Sequence, residues 1–227
     1  PRPGRKYSVA EKARAVASLA SGLLAATEPL VAFVERRFLP GVLKAVGQKP
    51  TAPFVLVLAG DDCPLTLEVQ AEIMKLPGLL ACYSTNLHRP LRDDVFYPLP
   101  VGFLVNRMSS HNEALIQRTR EAAVPWSQRD PRLLIPWMRH FAGRKRLINA
   151  LSGNEYRSLV RVVPEKLPFP DYMALLSEHR SVLSPPGKGY DCTRTWESIS
   201  VGSSPWLFED TRFDQRAYEA ARVNYMP

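Results

Sequence analysis

The apolar positions fall into short runs separated by polar turns, and their spacing alternates between helical and strand-like. Ser8 followed by Glu11 has the reciprocal form of a capping box and opens a helix. From Ala15 to Val34 the single charge is Glu28, and Thr27-Glu28-Pro29 interrupts the stretch. That break, with the Ala and Ser content, favours two helices with buried faces over a membrane anchor, Glu28-Pro29 forming the first turn of the second. The continuous apolar run from Pro53 to Ala59 predicts a parallel strand buried on both faces, ending in the polar turn Gly60-Asp61-Asp62-Cys63-Pro64. A helix from Thr66 to Leu76 follows, then a strand from Leu79 to Tyr83 ending in Ser84-Thr85-Asn86. Tyr97 to Gly102 reads as an edge strand, because its prolines cannot donate to a ladder.

A helix from about Ser110 to Ala123 closes the first series. A second begins with the apolar run Leu133 to Met138, followed by a helix over Arg144 to Leu151 and a strand over Leu159 to Val163. A helix opened by Pro170-Asp171 comes next, then a strand Ser181 to Ser184, a glycine-rich loop, a helix from Thr193 to Val201 and a strand near Trp206 to Phe208. Strand and helix alternate in both series, which predicts an α/β chain of two Rossmann-like halves facing a cleft. The halves are set at residues 1–128, with the leading helices, and 129–227, with residues 101–130 as the hinge.

Composition changes this picture little. With 227 residues, 45% apolar and 23% charged, the chain has the make-up of an ordinary globular protein and is long enough to bury a core. Its net charge of +8 is uneven: between Arg129 and Lys166 nine Lys or Arg residues stand against three acidic ones. Such a stretch suits phosphates, or is a solvated face. Cys63, Cys82 and Cys192 have no metal-ligand spacing and leave one disulfide open. No nucleic-acid motif appears, and the basic residues are not interleaved with aromatics for stacking. The first residue is Pro1, as in a piece of a longer chain, so any membrane anchor is expected outside this chain.

The chemistry concentrates in Ser184-Pro-Pro-Gly-Lys-Gly-Tyr-Asp-Cys-Thr-Arg-Thr-Trp-Glu197. A strand ends, glycines open the backbone and a helix begins, which is the arrangement of an anion site at a helix N-terminus. Lys188 and Arg194 add positive charge, and Arg194 can grip a phosphate through two parallel hydrogen bonds. Glu197, three residues on, shares its helical face and suits sugar hydroxyls. Trp196 and Ile199 read as core. The same residues also admit a plainer reading: Asp191 as an N-cap, Arg194 with Glu197 as a helix salt bridge, and Gly187 and Gly189 as a turn.

The run from Leu183 to Pro205 resembles the signature of the exostosin-like (GT47-type) glycosyltransferases, roughly Ser-Pro-x-Gly-x-Gly-x-Asp, two residues, Arg-x-Trp-Glu, and a turn ending Gly-Ser-x-Pro. Weaker echoes lie at Ala59 to Asp62, at Tyr83 to Asn86 and at Pro98 to Gly102; small xylosyltransferase-like members are included in the resemblance. It implies a GT-B fold, a UDP-sugar donor, inversion at the anomeric carbon, and no cofactor or obligatory metal. Arg194 would then hold the diphosphate, Glu197 the ribose hydroxyls, and Ser184, Gly187, Lys188, Gly189, Tyr190 and Asp191 the rest of the donor site. Lys188 stands where Asn is common in the family. The carboxyl-terminal half is expected to be truncated, since the chain stops at Tyr225-Met-Pro227 before the closing strands and helices such enzymes usually have.

Inverting transfer needs a base for the acceptor hydroxyl and positive charge for the leaving diphosphate. Asp61 and Asp62, at a strand's carboxyl end and expected across the cleft, are the candidate catalytic carboxylates; a turn or N-cap role is the plainer reading. His88 and His111 are outside candidates. Asp93-Asp94 reads as a solvated pair rather than a metal site. Arg144, at a helix start past the Leu133 to Met138 strand, is the candidate second phosphate ligand, with Arg139, Lys145 and Arg146 near it. The expected partners are a UDP-sugar donor and a glycan or glycoprotein acceptor, with no nucleic acid. The expected setting, from the resemblance alone and for a eukaryotic chain, is the Golgi lumen as a type II membrane protein. The alternative is a non-catalytic nucleotide- or glycan-binding member of the same family.

Overall fold

In the computed structural model, residues 8–47, 49, 52–103, 110–139, 143–209, 212–219, 221 and 223–226 are described, and the chain divides into two compact α/β units. One unit comprises Pro1–Pro100 with Thr211–Ala217, the other Val101–Asp210 with Tyr218–Pro227.

The first unit opens with helix α1 (Val9–Ala25), whose capping box forms as expected: Ser8 Oγ accepts the Glu11 amide at 3.2 Å and Glu11 accepts the Ser8 amide at 2.8 Å. The second expected helix is not there. Leu30–Glu35 is strand β1, paired in parallel with β2 (Phe54–Ala59). Val31, Phe33 and Val34 are β-branched or aromatic, and their period-2 burial (Ala32 and Val34 in, Val31 and Phe33 out) overrides the N-terminal signal of Glu28-Pro29. The helix comes later, as α2 (Leu39–Val46) with a proline in its first turn.

Helix α3 (Leu67–Ile73), β3 (Leu79–Thr85) and β4 (Phe96–Leu99) follow, and the four strands lie in sequential order, all parallel. Strand β4 is an edge, as its Pro98 requires. One core, with Phe38, Phe54, Leu56, Leu58, Ile73 and Phe96 essentially excluded from solvent, holds this unit together. The late segment returns to it through backbone bonds from Arg89 to Arg212 at 2.7 Å and from Asp214 to Leu87 at 3.0 Å.

The second unit takes helix α4 (Ser110–Ala122), which packs on α6 (Phe169–Ser177), so α4 belongs here and not with residues 1–100. Strands β5 (Asp130–Ile135), β6 (Val160–Val162), β7 (His179–Leu183), β8 (Ser204–Phe208) and β9 (Asn224–Met226) form a parallel sheet in the order β6-β5-β7-β8-β9. Helices α5 (Arg144–Leu151), α6 and α7 (Thr193–Ser200) are the crossovers. Leu134 and Val182 face α6, while their neighbours Ile135 and Leu183 face Leu147 and Ile148 of α5, so helices cover both sides where β5 and β7 run apolar, at their carboxyl ends. Strand β5 begins earlier than the apolar run suggested, at Asp130-Pro131, and the three-residue β9 has no apolar run to announce it.

From β5 the chain steps to one side to make β6, then crosses back over β5 to make β7. The strand order therefore reverses between β5 and β7, and in open α/β sheets ligands bind outside the carboxyl ends of the strands at that point.

Candidate functional site

Trp137 at the end of β5, the Pro164–Pro168 connection after β6, and the first turns of α6 and α7 enclose a cavity of about 360 Å³. Its polar lining is Lys166, Tyr172, Thr193, Arg194 and Glu197, with Glu165 also present. Arg194 and Glu197 thus share both a helical face and a cavity, as their spacing predicts.

The geometry at Arg194 is that of a half-satisfied cation. Its Nη2 reaches the Trp137 carbonyl at a long 3.4 Å, and its Nε is buried with no hydrogen-bond partner. A buried guanidinium N–H left unpaired costs on the order of 1–3 kcal/mol. An anion in the cavity would supply the missing acceptor. Glu197 is 2% exposed, and its Oε2 accepts the Tyr172 hydroxyl at 3.0 Å. Burial, with the Glu197 charge beside it, raises the Tyr172 pKa, so the phenol stays protonated and donates. Lys166 lies 5.9 Å from the Trp137 ring centroid, a cation over an aromatic face at the cavity rim.

The glycine loop runs into α7 just ahead of the Thr193 and Arg194 that line this cavity, and none of residues 184–191 lines it. Gly187 donates its amide to the Gly189 carbonyl at 2.9 Å, a tight turn in which neither glycine has positive φ. A side chain at 187 would press on its neighbour: a Cβ there would stand 2.9 Å from Arg144 Nη2. Arg144, at the first position of α5, is buried beneath the loop and donates from Nε to the Pro186 carbonyl at 2.9 Å and from Nη2 to the Pro185 carbonyl at 2.7 Å. Burial lowers its pKa. Lys188 is exposed and Tyr190 half-buried.

Two of the expected donor ligands serve the scaffold instead. Asp191 is 3% exposed, and its carboxylate accepts the Val101 amide at 2.7 Å, the Trp196 indole N–H at 2.8 Å and the Tyr218 hydroxyl at 2.9 Å. It does not cap α7: the N-cap is Cys192, with no side-chain cap bond. Ser184 Oγ is spent on Thr195 Oγ1 at 2.9 Å and Cys192 Sγ at 3.0 Å, tying the end of β7 to α7. Arg139, Lys145 and Arg146 are exposed.

In the first unit, Asp61 follows Gly60, whose φ of +83° makes the turn, and its Oδ1 accepts the Cys63 amide at 3.0 Å. That is an Asx turn, the plainer of its two expected roles. Asp62 is exposed. Arg36 donates to the carbonyls of Cys63 and Pro64 and so holds the same turn from below. His88 is half-buried in the connection after β3, His111 is a backbone position of α4, and Asp94 is paired with Arg92 at the surface. The three cysteines are free, and burial pushes the Cys82 thiol up to about 12. Among the described residues no helix is long and apolar enough to cross a membrane, and no three metal-ligating side chains gather.

Trp137, Lys166 and Tyr172 were not singled out from the sequence. Trp137 had a usable signal, since it follows a buried strand directly and the carboxyl ends of parallel strands carry ligand contacts. Tyr172 had none, because 25 residues separate it from the Glu197 it supports.

No known family model matches the chain, and no curated protein matches it. The fold and cavity alone thus define a protein of two parallel α/β units with a polar, partly unsatisfied pocket at the strand ends of the second.

Proposed function

We propose that this chain is an inverting, metal-independent glycosyltransferase of the exostosin-like type and GT-B class, moving a sugar from a UDP-sugar to a hydroxyl of a glycan or glycoprotein. The observation that carries the reading is the pairing, in one cavity, of Arg194, whose buried Nε lacks a partner, with the buried carboxylate of Glu197. A nucleoside diphosphate suits the pair: phosphate oxygens accept from the guanidinium, and vicinal ribose hydroxyls can donate to the carboxylate. The resemblance of Leu183 to Pro205 to the family signature supplies the sugar-transfer chemistry, and with it the proposed Golgi setting.

In that chemistry the acceptor oxygen attacks the anomeric carbon as the bond to the diphosphate breaks. A base takes the acceptor proton, and Arg194 stabilises the charge growing on the leaving UDP. Asp61 or Asp62 is the proposed base. The bond from Asp61 Oδ1 to the Cys63 amide favours a second reading, a member that binds the nucleotide without turning it over.

Calorimetric titration of UDP, with and without Mg²⁺, into the wild type, Arg194→Ala and Glu197→Ala tests the site. UDP is expected to bind without metal, and each substitution to weaken it more than tenfold, about 1.4 kcal/mol. Absent binding, or affinity indifferent to both substitutions, would sink the proposal. Slow hydrolysis of a bound UDP-sugar then separates an enzyme from a binding module.

A further inference from the structure

We infer that Arg144 is a positioning residue that makes the Pro185–Gly189 loop compatible with an anion, acting through the loop's carbonyls and not as a phosphate ligand. The inference rests on the proposed nucleotide site. A Pro-Pro pair contributes two carbonyl acceptors and no N–H donor, so the segment Pro185-Pro186 offers an approaching anion only repulsive dipoles. Arg144 removes that problem by taking both carbonyls onto one guanidinium, Nε to Pro186 at 2.9 Å and Nη2 to Pro185 at 2.7 Å. The fork geometry matters, since two donors diverging from one rigid plane fix two successive peptide units at once.

Two further observations point the same way. The guanidinium fills the space a side chain at 187 would need, so the glycine and the arginine are complementary: a Cβ at 187 would displace the Nη2 that bonds the Pro185 carbonyl. Arg144 is also close enough to Arg194 for the two charges to disfavour one another. Burying a cation beside the cavity's own cation is costly unless the carbonyls, and an anion nearby, offset it. Arg144 thus sets the shape of the loop, and Arg194 is left to meet the ligand.

The experiment compares UDP with uridine, which lacks the diphosphate, as titrants of the wild type, Arg144→Lys and Gly187→Ala, with melting temperatures recorded for each. Lysine keeps the charge but has no fork. Arg144→Lys is expected to weaken UDP at least tenfold while uridine affinity stays within twofold of wild type. Gly187→Ala, which retains the arginine and pushes on its Nη2, is expected to weaken UDP by several fold in the same selective manner. Should Arg144→Lys bind UDP as the wild type does, charge alone suffices and the positioning role is overturned. A lowered melting temperature with unchanged UDP affinity in Gly187→Ala also overturns it, and decides the matter if the lysine variant fails to fold. If the wild type itself ignores UDP, the nucleotide site falls first and this inference with it.

Discussion

Replacing Asp191 by alanine tests whether that carboxylate is scaffold, as the geometry has it, or part of a ligand site. The side chain is 3% exposed, and the groups it accepts from include the Val101 amide, the Trp196 indole N–H and the Tyr218 hydroxyl. Trp196 and Tyr218 are also stacked, with ring centroids 5.7 Å apart, so neither ring turns easily to find another acceptor. Truncation strands three donors in a dry place. At about 1–3 kcal/mol for each unsatisfied buried donor, and with water entering the vacated space to recover part of that, the net loss is about 3 kcal/mol. For a unit of this size that lowers the melting temperature by roughly 10 °C.

The assay is thermal and urea denaturation of Asp191→Ala, Tyr218→Phe and the double variant. Tyr218→Phe alone should cost about 1 kcal/mol, because it deletes one donor and leaves the carboxylate its others. In the Asp191→Ala background the same change should cost almost nothing, its acceptor being already gone, and that non-additivity is the signature of direct contact. A loss under about 1 kcal/mol for Asp191→Ala, or full additivity, would refute the reasoning and return Asp191 to the list of ligand-facing residues.

Four other outcomes follow from the structure. Stability should fall as pH drops below about 6.5, the ordinary histidine value, because burial lowers the pKa of His179, whose Nδ1 is bonded to the Leu175 carbonyl at 2.9 Å. The unfolded chain then binds a proton that the folded one refuses; His179→Gln should flatten the fall in melting temperature between pH 7.5 and 5.5. A second loss, below about pH 4, should come from Asp130, held down to about 2 by hydrogen bonds from Arg132, and should disappear in Asp130→Asn. Gly60→Ala should destabilise by about 1–2 kcal/mol in denaturant melts, since φ is +83° and its Cβ would meet Glu35 Cγ at 2.8 Å. Tyr172→Phe should lose about 1 kcal/mol of UDP affinity by releasing Glu197, with a smaller loss for the 2′-deoxy analogue, read by calorimetry.

What could be read from the sequence was whatever local physics decides. The capping box at Ser8 and Glu11, the strand over Phe54–Ala59 and helix α5 over Arg144–Leu151 each follow from a pattern a few residues long, and each is present, although only one face of that strand is buried and not both as expected. Leu30–Glu35 was misread because a helix-start signal and a β-rich run overlap there, and only pairing with β2 settles the contest. The site divides in the same way. Arg194 and Glu197 were visible because helical periodicity puts residues three apart on one face, whatever the rest of the fold does. Asp191 and Arg144 carry charges that suit a ligand just as well, yet the structure gives them to Tyr218 and to the Pro185 and Pro186 carbonyls, partners 27, 41 and 42 residues distant. A charged residue in a glycine loop therefore marks where a site is without saying whether it faces the ligand or holds the loop. The difference lies in whether its partners are already inside the protein. By that criterion Arg194, with its buried Nε unmatched, is the residue of the loop and helix that most requires something from outside the chain.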